Sequence, residues 1–322
     1  MRILITGGSG FIGTNLLDHY LRRADAALNL DPRPPRYAGH REVWRTIDPL
    51  DARAVTRTIR SFEPTHVLHM GARTDLRANT LEDYRLNTDA VAYLLEACDA
   101  LPALQRVIFA SSRLVCRIGY RPRNDTDYCP PNAYGESKMV GEQIVRAASP
   151  TFSWMIIRPT SIWGPWFDVP YKAFFRSVAS NRYMHIRGHN VAKSFGFVGN
   201  TVHELDVLLT TTDPRPVGRT LYLADYPPIR VHDMAERIRR SMGSKPIRTV
   251  PLGLLKPVAL AGDLMRLLGW KDPSLTRFRL NNLVTEMTYD VSLLEDVVGE
   301  LPYSLDDGIK QTVDWMRMNA EV

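Results

Sequence analysis

The chain opens on an apolar run, Arg2-Ile3-Leu4-Ile5-Thr6, which gives way to a glycine-rich turn and then to an amphipathic stretch from Phe11 to Arg22. Gly7, Gly10 and Gly13 fall in the spacing GxxGxxG. A strand that feeds a helix through such a turn has few options. Glycine permits the tight bend and the close approach of backbone to a pyrophosphate, and the helix N-terminus adds free N–H groups and a positive dipole end. On the first strand and before an amphipathic helix, the motif reads as a dinucleotide-binding turn rather than an ordinary strand-to-helix turn. Gly7, Gly10, Phe11, Ile12 and Gly13 are its candidate contacts.

The alternation continues along the first half. Ala27–Leu30, His66–Met70, Arg106–Ala110 and Trp154–Ile157 read as strands. Asp51–Phe62, Leu81–Ala100 and Ala133–Ala148 read as helices. Parallel neighbours need long crossover connections, so the pattern predicts a parallel sheet of the α/β class. After Gly164-Pro165 the pattern changes: Pro, aromatic and basic residues crowd into Pro165–Ser194. Helix Thr201–Thr211 and the run Leu221–Ala224 return to the first layer, Pro227–Asn282 reads as helices with Pro-rich joins, and the tail Ser304–Met318 is helical. The expected organisation is a Rossmann-type doubly wound parallel sheet with a smaller, mainly helical substrate-binding lobe. Residues 1–164, with return segments at about 195–225 and 283–300, form the dinucleotide-binding domain. Residues 165–194 and 226–282 form the lobe, and 301–322 a C-terminal helix. A length of 322 residues suits two such units.

Asp31 ends the second strand, 18 residues after Gly13. A carboxylate there accepts hydrogen bonds from both hydroxyls of an adenosine ribose and repels a 2′-phosphate, which favours NAD over NADP. Arg33 stands close enough to tolerate phosphate. Asp48 and Pro49, after the next short apolar segment, are candidates to face the adenine, a turn role for Asp48 being equally open.

Tyr134 and Lys138 form YxxxK, and on a helix i and i+4 share a face. The Lys ammonium and a positively charged nicotinamide are both expected to lower the Tyr pKa from about 10, making a phenolate available as general base for an alcohol proton. Upstream, the strand Arg106–Ala110 runs into Ser111-Ser112. Hydroxyls at a strand's C-terminal end sit where α/β sheets bind ligands.

With these elements in order, the sequence resembles the extended short-chain dehydrogenase/reductases, in particular the nucleotide-sugar epimerase/dehydratase family. The resemblance covers nearly the whole chain. It rests on Thr6 to Gly13, His69-Met70-Gly71-Ala72, Asn87, Ser111-Ser112, Tyr134 with Lys138, Arg158-Pro159 and Gly164-Pro165. It implies a catalytic set of Ser112, which holds the substrate hydroxyl, Tyr134 and Lys138. It places the backbone of Met70, Gly71 and Ala72 beneath the cofactor, with Asn87, Ser111, Pro159 and Ser161 beside it and His69 in a structural role. Arg73, Thr74, Ser112, Ser161, Lys193 and Arg279 are the implied substrate contacts, Lys193 standing where many relatives have an arginine that meets the nucleotide diphosphate. Cys116-Arg117 departs from the family's V-Y-G motif, and Ser161 replaces a common Asn.

The implied reaction is hydride transfer between a sugar carbinol and the nicotinamide of NAD, on a nucleotide-diphosphate sugar. Epimerisation at C4 is favoured because Leu114, where dehydratases often carry an acid/base group, cannot exchange a proton. The alternatives are a 4,6-dehydratase or keto-sugar reductase/dehydrogenase, with Asp75 the nearest candidate for a second base, or a dinucleotide-binding sensor without catalysis. The apolar surplus on Leu81–Ala100 and Ala133–Ala148 predicts a homodimer, the pairing that the resemblance implies.

Composition limits the partners. No run approaches the ~18 apolar residues of a membrane helix, so no membrane partner is expected. The net charge of +6 comes mostly from arginine, 34 against 7 lysines, but without a long basic run, so no nucleic acid is expected. Three scattered cysteines provide no disulfide framework or metal set, and a strand from the first residues leaves no room for a signal peptide. A cytoplasmic setting follows as the expectation.

Overall fold

The computed structural model describes residues 1–99, 101–270, 273 and 275–322. Six strands, β1 Arg2–Thr6, β2 Ala26–Leu30, β3 Trp44–Arg45, β4 His66–His69, β5 Arg106–Ala110 and β6 Ser153–Pro159, join Thr220–Leu223 in one parallel sheet. The spatial order is Thr220–Leu223, β6, β5, β4, β1, β2, β3. The chain starts in the middle, winds outward to β3, and resumes on the other side of β1 with β4. The reversal opens a crevice at the C-terminal ends of β1 and β4, the place where doubly wound sheets bind ligands. In register, Thr6 lies opposite both Leu30 and His69, so those ends are level.

The helices are α1 Phe11–Arg22, α2 Ala52–Phe62, α3 Asp89–Asp99, α4 Ala133–Ala148, α5 Tyr171–Ala179, α6 Val198–Thr210, α7 Val231–Met242, α8 Leu252–Leu267, α9 Arg277–Val284, α10 Ser292–Val298 and α11 Leu305–Met318. Side chains alternate across a strand, so β1 feeds two cores. Ile3 and Ile5 pack with α1, α6 and α10, while Leu4 packs with α2, α3 and α4. A third core, around Trp163, Phe175, Phe197, Met234 and Val313, joins α5, α7 and α11 beside the sheet.

The expected helix over Leu81–Ala100 is two elements. Glu82–Asn87 is a 3₁₀ segment and α3 starts at Asp89, with non-helical backbone at Thr88 between them. The break lets Asn87 turn inward: Oδ1 accepts from Arg73 N at 2.9 Å, and Nδ2 donates to Arg73 O at 3.0 Å and Ser137 Oγ at 2.9 Å. Ala100 lies outside the described residues. Asp51 and Ser304, expected inside helices, cap α2 and α11 instead, each accepting a backbone N–H that the first turn leaves free. Outside the central sheet, Met184–Ile186 pairs with Arg248–Val250 and Ala192–Lys193 with Ile229–Arg230, so short strands accompany the helices of residues 165–194 and 226–282.

One buried ion pair fastens α4 to the sheet. Glu142 Oε1 accepts from Arg158 Nε at 2.8 Å and Oε2 from Arg158 Nη2 at 2.7 Å, and both side chains are almost fully buried. Tyr128 Oη donates to Oε2 at 3.0 Å and Ser111 Oγ to Oε1 at 2.5 Å. Arg158→Met alone leaves the carboxylate buried without its cation. Urea unfolding should show a loss of about 3–5 kcal/mol, most of which Arg158→Met with Glu142→Leu recovers.

Candidate active site

The crevice is a cleft of about 690 Å³ floored by the ends of β1, β4 and β5 and walled by α1, α4 and the start of α5. Its first wall is the glycine turn. Gly7 has φ +71°, and a Cβ there would stand 2.6 Å from the backbone of Gly71, so β1 and β4 meet only because that side chain is missing. Gly7, Gly10, Phe11, Ile12, Gly13, Met70, Gly71 and Ala72 all line the cleft, as do Pro49 and Pro159. Asp31 is buried at the end of β2. Its Oδ2 accepts from Ser9 N at 3.2 Å and its Oδ1 from Arg33 N at 2.9 Å, while Arg33 Nε stands 3.5 Å away. This cradle, with a buried carboxylate one strand from the turn, fits a dinucleotide.

At the other end, Ser112, Tyr134 and Lys138 line the cleft together. Ser112 caps the short turn Arg113–Val115, accepting from Leu114 N at 3.1 Å. Gly135 lets α4 press against that turn, since a Cβ there would lie 2.1 Å from Leu114 O. The Tyr134 hydroxyl is thereby brought near enough to Ser112 for the serine to favour the phenolate. Lys138, one helical turn on, donates from Nζ to Ala110 O at 2.8 Å.

The electrostatics differ from the sequence expectation. Burial pushes the Tyr134 hydroxyl above its ordinary value; Ser112 and the Arg113 guanidinium pull it down, and Tyr84 adds to the rise. Lys138 is not among the groups that shift it; its ammonium donates to Ala110 O. Burial pushes Lys138 itself down to about 8, with Glu142 opposing. His69 is held neutral, pushed down to about 3 by burial and then by Lys138, with Nδ1 2.8 Å from Thr6 Oγ1.

The other expected residues divide. Arg73 and Thr74 line the cleft, Arg73 tied to Asp75 at 2.8 Å. Asp75 is held below the usual carboxylate range by that bond, which makes it a weak base. Ser111 lines the cleft, but its hydroxyl is spent on Glu142. Asn87 lies behind the wall, fixing Arg73. Asp48 is exposed and turns back to Leu50 N at 2.9 Å, a turn role. Ser161 is buried off the cleft, because alternation along the strand turns Thr160 and Ile162 to it. Lys193 is buried and donates to Asn282 O at 2.6 Å and Oδ1 at 2.7 Å, outside the cleft lining. Arg279 is exposed on α9, with Nη1 on Pro273 O at 2.6 Å.

Two residues escaped the sequence reading. Arg36 lines the cleft and reaches from Ser9 O, at 3.1 Å, to Trp166 O, at 2.7 Å, and Asp168. It sits in a Pro-rich loop with no periodic signal. Arg113 is buried beside Tyr134, its charge opposed by burial and held by Tyr171 and Tyr289, and its Nη1 lies 3.4 Å from Met287 Sδ. Among the described residues, neither Arg113 nor Lys193 forms an ion pair with a carboxylate. Lys193 is pushed down to about 7 by burial and by Arg113. The two buried cations therefore repel each other.

Residues 3–209 match the family described as NAD dependent epimerase/dehydratase family. The chain is 24% identical to an N-acetyl-α-D-glucosaminyl-diphospho-ditrans,octacis-undecaprenol 4-epimerase of Escherichia coli O157:H7, over 99% of this chain and 96% of that protein. It is 25% identical to a 3β-hydroxysteroid-dehydrogenase/decarboxylase of Arabidopsis thaliana, over 97% of this chain and 78% of that protein. Among solved structures, a UDP-glucose 4-epimerase of Thermotoga maritima, crystallised with UDP-glucose, superposes with a TM-score of 0.76 at 17% identity, covering 99% of this chain and all of that one.

The place of Asp31 makes a direct prediction. Asp31→Ala should weaken NAD binding about tenfold or more and bring NADP binding close to it, as isothermal titration of each dinucleotide would show. A wild-type preference for NADP would instead identify Arg33 as the dominant group.

Proposed function

Because the chain belongs to the NAD dependent epimerase/dehydratase family, we propose that it is a C4-type epimerase of a diphosphate-linked sugar, with a nucleotide-diphosphate sugar as substrate. The observation that carries the reading is the pairing of Ser112 and Tyr134 over the cleft floor, with no exchangeable group at Leu114. When bound, NAD accepts a hydride from the sugar carbon and returns it.

The chain's own part is orientation and the proton. Ser112 holds the substrate hydroxyl by the same oxygen that meets Tyr134. Tyr134 takes the hydroxyl proton as the carbinol is oxidised and gives it back when the keto group is reduced. Lys138, a cation at neutral pH, lines the cleft one helical turn beyond Tyr134, where its charge supports a phenolate. Asp31 holds the adenosine ribose, and the glycine turn with the α1 N-terminus takes the pyrophosphate. Arg113 and Lys193, buried outside the cleft lining without a carboxylate partner among the described residues, support a substrate that carries a diphosphate. Partly exposed Tyr93, Met139, Val140 and Ile144 on α3 and α4 support a homodimer, and the free thiols of Cys98, Cys116 and Cys129 support a cytoplasmic setting.

A second reading keeps the reaction and changes the carrier. The Escherichia coli relative is named for a sugar diphosphate carried on a polyprenol, and the apolar outer face of α8, described below, favours such a carrier here.

Incubation with a panel of nucleotide sugars in D₂O tests the reaction. A mass-neutral product with no deuterium on ring carbon is expected; deuterium at C3 or C5, or a 4-keto-6-deoxy product, would defeat it. Lys193 adds a pH dependence. Its ammonium is present below about 7 and lost as pH rises through that value, so substrate affinity should fall from pH 6 to pH 9. Lys193→Arg should flatten that fall without changing NAD affinity, as KM profiles would show.

A further inference from the structure

Helix α8 is inside out. Its buried stripe is Ala259 with Gly262, two of the smallest side chains. Its outer face carries Leu254, Val258, Leu260, Leu264 and Leu267, each more than half exposed, Leu267 at 84%. Leu268 and Trp270 extend the apolar strip beyond the helix end, and Phe278 of α9 adds a further exposed ring. An ordinary surface helix turns its large apolar residues inward. A contiguous patch of this kind marks an interaction surface.

Charge says what covers it. Between Lys245 and Asn282 the sequence has seven basic and two acidic residues, a net +5 out of +6 for the whole chain. Arg277 pairs with Asp263, Lys256 and Arg266 are exposed on α8 itself, and Lys245 and Arg248 are exposed in the segment that leads into it. An apolar helix face with an aromatic near its end and a cationic surround is the pattern of a helix that lies in a bilayer interface with its apolar face among the acyl chains. The basic groups are then attracted to anionic headgroups, at about 1 kcal/mol each close to the surface. A second copy fits badly, since a two-fold contact would set one +5 strip against another. Nucleic acid fits badly too, since its partners present polar basic surfaces rather than leucines.

We propose that α8, with the basic residues around it, docks this protein on an anionic lipid bilayer. The contact is peripheral. Among the described residues no helix is long and apolar enough to cross a membrane, which limits spanning and leaves surface docking open. The sequence expectation of no membrane partner rested on spanning length alone. The helix that carries the docking face packs on α9, whose Asn282 holds Lys193, and Met287 just beyond meets Arg113. The proposal does not depend on which carrier the sugar has, because docking is measured without substrate.

Flotation of the full-length protein tests it, with vesicles of phosphatidylcholine alone and with phosphatidylcholine and phosphatidylglycerol mixed two to one. Binding to the mixed vesicles only is expected, falling as salt rises from about 0.05 M to about 0.5 M. Leu264→Glu with Leu267→Glu should cut the bound fraction about tenfold or more while NAD affinity and turnover of a soluble nucleotide sugar stay unchanged. Lys256→Glu with Arg266→Glu, which leaves the apolar face intact, should also reduce binding and keeps the test open if the first variant unfolds. Failure to float with the mixed vesicles would overturn the proposal. So would equal binding to neutral vesicles, or a dimer that the leucine variant dissociates in the absence of vesicle binding.

Discussion

Glu142 stands one helical turn beyond Lys138, and both its oxygens are taken by the Arg158 guanidinium inside the protein. That pair is the joint between α4 and β6. Ser111, at the end of β5, closes it from the side, so one carboxylate fixes a helix and two strand ends. A buried ion pair is a poor source of net stability, since desolvation consumes most of the attraction. What it supplies here is register. A helix sliding along the sheet would separate Tyr134 from Ser112, and sliding would break four charge-assisted bonds at once.

The same device of burying charge appears again outside the cleft lining with its balance left open. Arg113 and Lys193 are out of water without an acidic partner among the described residues. The protein tolerates their repulsion by weakening the lysine as a base and by surrounding the arginine with tyrosine hydroxyls and a thioether. A dianionic group near them would offset that repulsion, which is what the diphosphate of the proposed substrate would bring.

Much of this was legible in the sequence because it depends on local order. The strand, glycine turn and helix at Arg2 to Arg22, the carboxylate ending β2, and the i, i+4 pair Tyr134 and Lys138 are near-neighbour patterns, and each lies in the cleft wall. What stayed hidden depends on distance in the chain. Lys193 meets Asn282, 89 residues away, and Arg36 meets Asp168, 132 residues away; no periodicity encodes either contact. Ser161 was misplaced by one residue, enough in a strand to face the wrong side. Leu81–Ala100 read as one helix because apolar spacing does not register that Asn87 has better partners off the helix axis than on it.

Arg36 has a kinetic meaning. From one side chain it grips the glycine turn at Ser9 and the far bank of the cleft at Trp166 and Asp168. A dinucleotide lying along that turn has this clasp at the edge of its way out. Its departure would then require the release of several bonds made by a planar, always charged group. A reaction that gives its hydride back to the molecule that lost it has no need to exchange cofactor between turnovers. For the epimerase proposed above, slow exit would cost nothing, and the nucleotide would act as a resident part of the protein rather than as a second substrate.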